Sequence, residues 1–204
     1  MTPAIVTKSY AATLAFIRRL GHNAEGVAAV EFGFIAPIML LMLIGTIEIS
    51  RAITIDRRFG LVTSMVADLV TREKTMTAAN LNKIYDIVGF VMGSYDNGSL
   101  KISVIPVKAD PDDVTNTVVY AEDTNRPAHN SGVDDPAKCA PYALTDNLIS
   151  AGSSVIVVKT SYDFSPILLG YVMGNLSWTD SATLSPRNSC VDFDGDNCVS
   201  DCFS

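Results

Sequence analysis

The chain has 204 residues, 15 Lys and Arg against 22 Asp and Glu, and a formal net charge of −7 with a pI near 4.7. That balance, with no basic stripe anywhere, excludes a surface built to neutralise phosphates, so nucleic acid is not a partner. A short leader and one apolar helix leave enough chain for one modest domain with its own core, and not for two.

Charge is distributed unevenly along the chain. Lys8, Arg18 and Arg19 against Glu25 give residues 1–26 a balance of +2, so the remainder holds −9. A basic end before an apolar run stays cytoplasmic and sends the acidic remainder across the membrane. The expected topology is a single pass in the inner membrane, with the N-terminus cytoplasmic and the C-terminal domain periplasmic or in an extracellular pilus.

The apolar stretch 11–17 is too short to span a bilayer and ends in Arg18 and Arg19, and residues 21–26 form a polar break flanked by glycines. Residues 27–49 are predominantly apolar. At about 1.5 Å per residue they make roughly 34 Å of helix, sufficient for a hydrocarbon core of about 30 Å. Two carboxylates, Glu31 and Glu48, interrupt this stretch, and Pro37 removes one backbone hydrogen bond. No small-residue cleavage site follows Ile49, so the helix is expected to be retained.

Beyond Arg51 the pattern becomes amphipathic. Phe59, Val62, Val66, Leu69 and Val70 recur at helical spacing, and Leu81, Ile84, Tyr85, Val88, Val91 and Met92 do so again. Capping residues in 75–80 predict an interruption between the two. A turn cluster over 93–98 introduces an alternating strand at 101–107, with a second strand at 115–120. Residues 125–138 read as an exposed loop. The valine-rich segment 154–162 is the strongest strand, 176–184 is the last, and the polar tail after Pro186 reads as a stapled loop and not as part of the core. Helices first and strands afterwards predict an α+β fold with a small antiparallel sheet. The expected divisions are a leader at 1–26, a transmembrane helix at 27–50 and an extracytoplasmic domain at 51–204.

The cysteines are Cys139, Cys190, Cys198 and Cys202, an even number confined to the part expected outside the cytoplasm, which predicts disulfides. Four cysteines allow three pairings. Because Cys139 stands apart from the other three, one bridge is expected to tie the middle of the chain to the tail and the other to lie within the tail. The long loop so closed would contribute about 2–4 kcal/mol.

Asp192, Asp194 and Asp196 alternate around Gly195 and form a weak calcium candidate. The spacing departs from an EF-hand, since no glutamate closes a 12-residue loop, and a disulfide-pinned turn is favoured. His129 is the one histidine of the exported part, in a loop without a catalytic signature, and no phosphate-binding loop, dinucleotide fingerprint or zinc-protease motif occurs. The expectation is no enzyme, no cofactor and no favoured metal.

The most specific signal precedes the apolar run: Gly26, then Val27, then Glu31 followed by Phe32. With the continuation AAVEFGFIAPIMLLMLIGTIEISRA, it resembles the N-terminal signature of TadE-like minor pseudopilins, the type IV pilin-like proteins of tight-adherence systems. The segments SVIVVKTSYDFSPIL and LSWTDSATLSPR resemble the C-terminal strands of that family. The resemblance implies cleavage after Gly26 by a prepilin peptidase and a registering role for Glu31 in assembly. It also implies the major Flp-type pilin, fellow minor pseudopilins and a membrane platform as partners. Physical reasoning marks Glu31 independently, because an unpaired carboxylate at the bilayer centre costs about 2.5–3.5 kcal/mol and is retained where a partner meets it. An ammonium on Val27 would lie one helical turn away.

Glu48 reads as an interfacial carboxylate beside Ser50 and Arg51, with a packing role against partner helices left open. The alternative to an assembly subunit is a membrane-anchored periplasmic binding module that keeps its leader and recognises a ligand, with calcium, through its loops or acidic tail.

Overall fold

The computed structural model describes residues 25–95, 98–121, 133–134, 136–145, 148–166, 170, 174–193, 195, 198 and 202–203. The chain divides into two units, one ending at Ile49 and one beginning at Ser50.

A single helix, α1 (Glu25–Arg72), runs through the apolar segment, through Pro37 and into the amphipathic one. The expected interruption follows it: a two-residue strand β1 (Thr75–Met76), then α2 (Ala78–Met92). Thr77 starts α2, its side chain accepting the backbone N–H of Asn80 at 3.3 Å. Gly93 ends α2 with φ of 56° and ψ of −125°, a backbone region open essentially to glycine alone. Arg58 of α1 donates to the carbonyls of Val91 and Met92, at 3.2 and 3.5 Å, and lies over the Tyr95 ring, satisfying acceptors that the helix end leaves free.

Four strands follow, β2 (Lys101–Ala109), β3 (Thr117–Val119), β4 (Ser154–Phe164) and β5 (Leu176–Leu184), in the sheet order β3-β2-β4-β5 with every pairing antiparallel. The α+β expectation holds. One face of the sheet carries Ile102, Val104, Ile156, Val158, Tyr162 and Phe164 against Phe59, Val62, Val66 and Val70 of α1 and Leu81, Ile84, Val88 and Met92 of α2. These helical residues recur every three or four positions, so each helix turns one apolar stripe to the sheet.

The helix–sheet register is fixed by a buried pair of hydroxyls. Thr63 Oγ1 and Thr160 Oγ1 lie 2.6 Å apart, and the Phe59 and Tyr162 rings meet at 6.3 Å. Trp178 of β5 stacks on Tyr162 and Phe164 with centroids at 6.2 and 5.4 Å.

The second face differs from the sequence reading. β2 was expected to alternate between core and solvent, yet six consecutive residues, Ile102 to Val107, are buried. Ile105, Val107, Val119, Val155 and Val157 form a second cluster, covered by Tyr142, Leu144 and Ile149. Residues in the middle of the chain that lack helical or strand periodicity thus roof this face. Lys159 is held there by Asp134 at 2.6 Å and lies over the Tyr142 ring. Bonding to Asp134 raises the Lys159 pKa, with Tyr142 adding to the effect.

The tail corrects a second expectation. It is stapled, by Cys139–Cys202 and Cys190–Cys198, but it is also part of the core. Val191 and Phe193 are buried, and β6 (Asp192–Phe193) pairs parallel with β1. The hydroxyl of Tyr120 donates to the Val191 carbonyl at 2.8 Å, and burial pushes the phenol well above its ordinary pKa. Lys108 donates to the Cys198 carbonyl, and the Arg187 backbone N–H donates to Thr71. Arg187 also reaches Asp68, whose carboxyl is held below the usual range chiefly by its hydrogen bond to Arg72.

Candidate functional site

The functional residues marked by sequence lie on α1 before Ser50, and their setting is unusual for a folded chain. Val27, Val30, Phe32, Phe34, Ile35 and Ile38 are all more than half exposed, Phe34 to 76%. Exposure of this kind continues through the run of apolar residues from Met39 to Leu43 and to Ile47 and Ile49. Successive residues turn by about 100°, so exposed apolar side chains at consecutive positions surround the helix on all sides. Such a helix is made for a lipid environment and not for the surface of a water-soluble domain. Its most apolar stretch is long enough to cross a membrane, and none of it is buried.

Polar groups within the stretch follow from the same requirement. The Thr46 hydroxyl donates to the Met42 carbonyl at 2.8 Å, one turn back, so it needs no partner from outside the helix. Gly26, Gly33 and Gly45 each face open space, where an added Cβ would meet nothing within 4 Å. They leave shallow places where another helix could approach closely.

Glu31 is exposed among these apolar side chains, one turn after Val27 and next to the exposed Phe32. Glu48 is different. Its neighbours Ile47 and Ile49 are exposed, but Glu48 itself, read from the sequence as an interfacial carboxylate with a packing role left open, is buried. Seventeen residues separate the two carboxylates, which places them about 100° apart around the helix. They do not form one acidic site.

Residues 26–68 match the family model of TadE-like proteins. This segment is TadE-like. The TadE-like stretch opens on Gly26, includes Val27, Glu31, Phe32 and Glu48, and continues into the part of α1 that packs on the sheet, ending at Asp68. The match covers the apolar part of α1, which is long and apolar enough to cross a membrane, and the start of its amphipathic part. No curated protein and no solved structure matches the chain.

Outside the TadE-like stretch, the cysteines come together as two bridges, and Cys139 indeed meets the tail, at Cys202. Of the calcium candidates, Asp192 is half-buried in β6, while Asp194 and Asp196 lie outside the described residues, as does His129. Among the described residues no cluster of three metal-ligating side chains occurs. Sequence reasoning missed Arg58, which clamps the end of α2, and Asp180 at the outer edge of the sheet. Neither belongs to a local motif, and their partners lie 33 or more positions away or on the strand's own backbone.

Proposed function

We propose that the chain is a minor pseudopilin of a Tad-type pilus or secretion system, a non-enzymatic subunit assembled through its N-terminal helix. In this reading a prepilin peptidase cuts after Gly26, the helix from Val27 holds the protein in the inner membrane, and the domain from Arg51 onward lies outside the cytoplasm. Fellow minor pseudopilins, the major Flp-type pilin and a membrane platform are the partners.

The observation that carries the reading is Glu31, exposed on a helix whose surroundings are otherwise apolar, within the TadE-like segment. A carboxylate there is costly in lipid and gains most from a cation brought by assembly. Cleavage after Gly26 creates one, the ammonium of Val27, either one turn away or on a neighbouring subunit. Nothing in this scheme requires chemistry from the domain outside the membrane.

The mature N-terminus tests the proposal. Intact mass of protein recovered from membranes should begin at Val27 when prepilin peptidase is present and at Met1 when it is absent. A chain that begins at Met1 under both conditions refutes processing and leaves the anchored binding module as the reading. Glu31→Ala should insert normally yet recover markedly less of the pilus partners; unchanged recovery would show that Glu31 is only tolerated.

A further inference from the structure

The four cysteines converge on one short strand. Cys139 donates its backbone N–H to the Val119 carbonyl of β3 at 2.8 Å, and its bridge holds Cys202 at the same place. Tyr120, the next residue, donates to the carbonyl of Val191, beside Cys190. Lys108, opposite Val118 in the β2–β3 ladder, donates to the Cys198 carbonyl. Right and wrong partners are thus gathered together, and the pairing found among them is nested: Cys139–Cys202 encloses Cys190–Cys198.

A chain that crosses a membrane from its N-terminal side presents its cysteines in the order Cys139, Cys190, Cys198, Cys202. Cys139, itself exposed, therefore meets Cys190 before its native partner. A loop of 63 residues closes only about 1.4-fold less readily than one of about 50, so closure entropy does not hold Cys139 for Cys202. The 8-residue loop of Cys190–Cys198 closes far more readily, but Cys198 is made after Cys190. At about 5–20 residues per second, about 50 residues take roughly 3–10 s, long enough for a disulfide oxidant to have activated Cys139 as a mixed disulfide before Cys190 arrives. The fold gives no guidance at that moment. Val191, Asp192 and Phe193, which seat the tail on Tyr120 and β1, all follow Cys190.

We propose that oxidation first yields the consecutive set, Cys139–Cys190 and Cys198–Cys202, and that the native set is reached through a thiol–disulfide isomerase, a partner that holds a reduced dithiol outside the cytoplasm. Each bridge of the first set forms as a disulfide oxidant takes up two electrons and two protons from a pair of thiols. The product has no thiol left, so exchange has to start from outside the chain. The partner's thiolate attacks Cys202, forming a mixed disulfide there and releasing the Cys198 thiolate. Cys198 attacks Cys190, which closes Cys190–Cys198 and releases the Cys139 thiolate. Cys139 then attacks Cys202 in the mixed disulfide, closing Cys139–Cys202 and returning the partner's thiolate. No electrons are gained or lost in the exchange. The native set is the end point because it buries Cys198 and lets Val191 and Phe193 complete the core.

The inference rests on the reading above that this domain lies outside the cytoplasm, where thiols are oxidised. The full-length chain is recovered from membranes of cells with and without an extracytoplasmic disulfide isomerase, its thiols are blocked at lysis, and its bridges are mapped from the masses of linked peptides. Without the isomerase, Cys139–Cys190 and Cys198–Cys202 should replace the native set, with the native product lower by about tenfold or more. Reduced protein disulfide isomerase added to that material in detergent, with no oxidant, should restore Cys139–Cys202 and Cys190–Cys198. Cys190→Ala with Cys198→Ala leaves Cys139 a single partner, so its bridge should form to the same extent in both cells. Cys139→Ala with Cys202→Ala serves the same purpose if the first variant fails to fold. Native bridges at equal yield in both cells overturn the inference, and so does a two-cysteine variant that needs the isomerase as much as the unaltered chain does. A chain that is bridged natively without the isomerase sinks this inference alone, whereas four free thiols in the membrane-derived chain sink the reading of a domain outside the cytoplasm.

Discussion

Removing the Cys139–Cys202 bridge should cost the domain more than removing Cys190–Cys198, although the second holds a buried cysteine. The bridges close loops of 63 and 8 residues. In the chain-entropy account, cross-linking 63 residues stabilises by about 4.3 kcal/mol and 8 residues by about 2.5 kcal/mol, a difference of about 1.8 kcal/mol. The short bridge has one offsetting feature: Cys198 is 7% exposed, so replacing it with serine would bury a hydroxyl and add its own cost. The comparison is therefore Cys139→Ser with Cys202→Ser against Cys190→Ala with Cys198→Ala, in the full-length chain in detergent. Trp178, the single tryptophan, stacks on Tyr162 and Phe164, so its fluorescence during urea unfolding reports the domain alone. The long-loop variant should lose more stability. If the short-loop variant is the weaker of the two, or if the long-loop loss is below about 1 kcal/mol, constraint of the unfolded chain is not how this bridge acts.

Other substitutions test the packing and the charges of the domain. Phe59→Ala, at a side chain 2% exposed and in contact with Tyr162, should cost about 3–5 kcal/mol, whereas Leu61→Ala, two positions on and 65% exposed, should stay within about 0.5 kcal/mol. Equal losses in urea unfolding would contradict the assigned helix face. The Asp68 pKa lies below 3.8 in the folded chain, so its stabilising contribution is complete above that value and is lost as pH falls through the folded pKa. Asp68→Asn should therefore flatten the acid limb of the stability curve and leave the alkaline limb alone. Lys159 has the opposite sign: its pKa is raised above 10.5, and its contribution is complete below that value and lost as pH rises through the folded pKa. Lys159→Met should change only the alkaline limb, and a change confined to the acid side would refute the assignment.

Much of the domain was legible because its signals are local. The apolar run, the stripes of Val62, Val66 and Leu81, Ile84, Val88, and the turn before Ala78 each declare themselves within a window of about two helical turns. Leu176–Leu184 was located to the residue. The failures are all long-range. Whether Ser103 or Ile105 is buried depends on Tyr142, Leu144 and Ile149, some 40 positions later, which show no periodicity of their own. Val191 and Phe193 sit in a polar, cysteine-rich context, and only the pairing of Asp192 with Thr75 reveals that they close the core. In the candidate site, the segment beginning at Gly26 was readable because its likeness is linear, and the family model matches it over 26–68, but the burial of Glu48 was not, because its exposed apolar neighbours give no hint of it.

The tail has a consequence for biogenesis. Its strand reaches back to the first turn after α1, and its last cysteine holds the cover of β3. The core helix thus depends on residues made more than a hundred positions after it, a topology of high contact order. A chain emerging from its N-terminus cannot complete this core until those residues have been made. Met76 and Tyr120 stay uncovered until Val191 and Phe193 arrive, so removal of residues 191–204 should act on the whole domain and not on the tail alone.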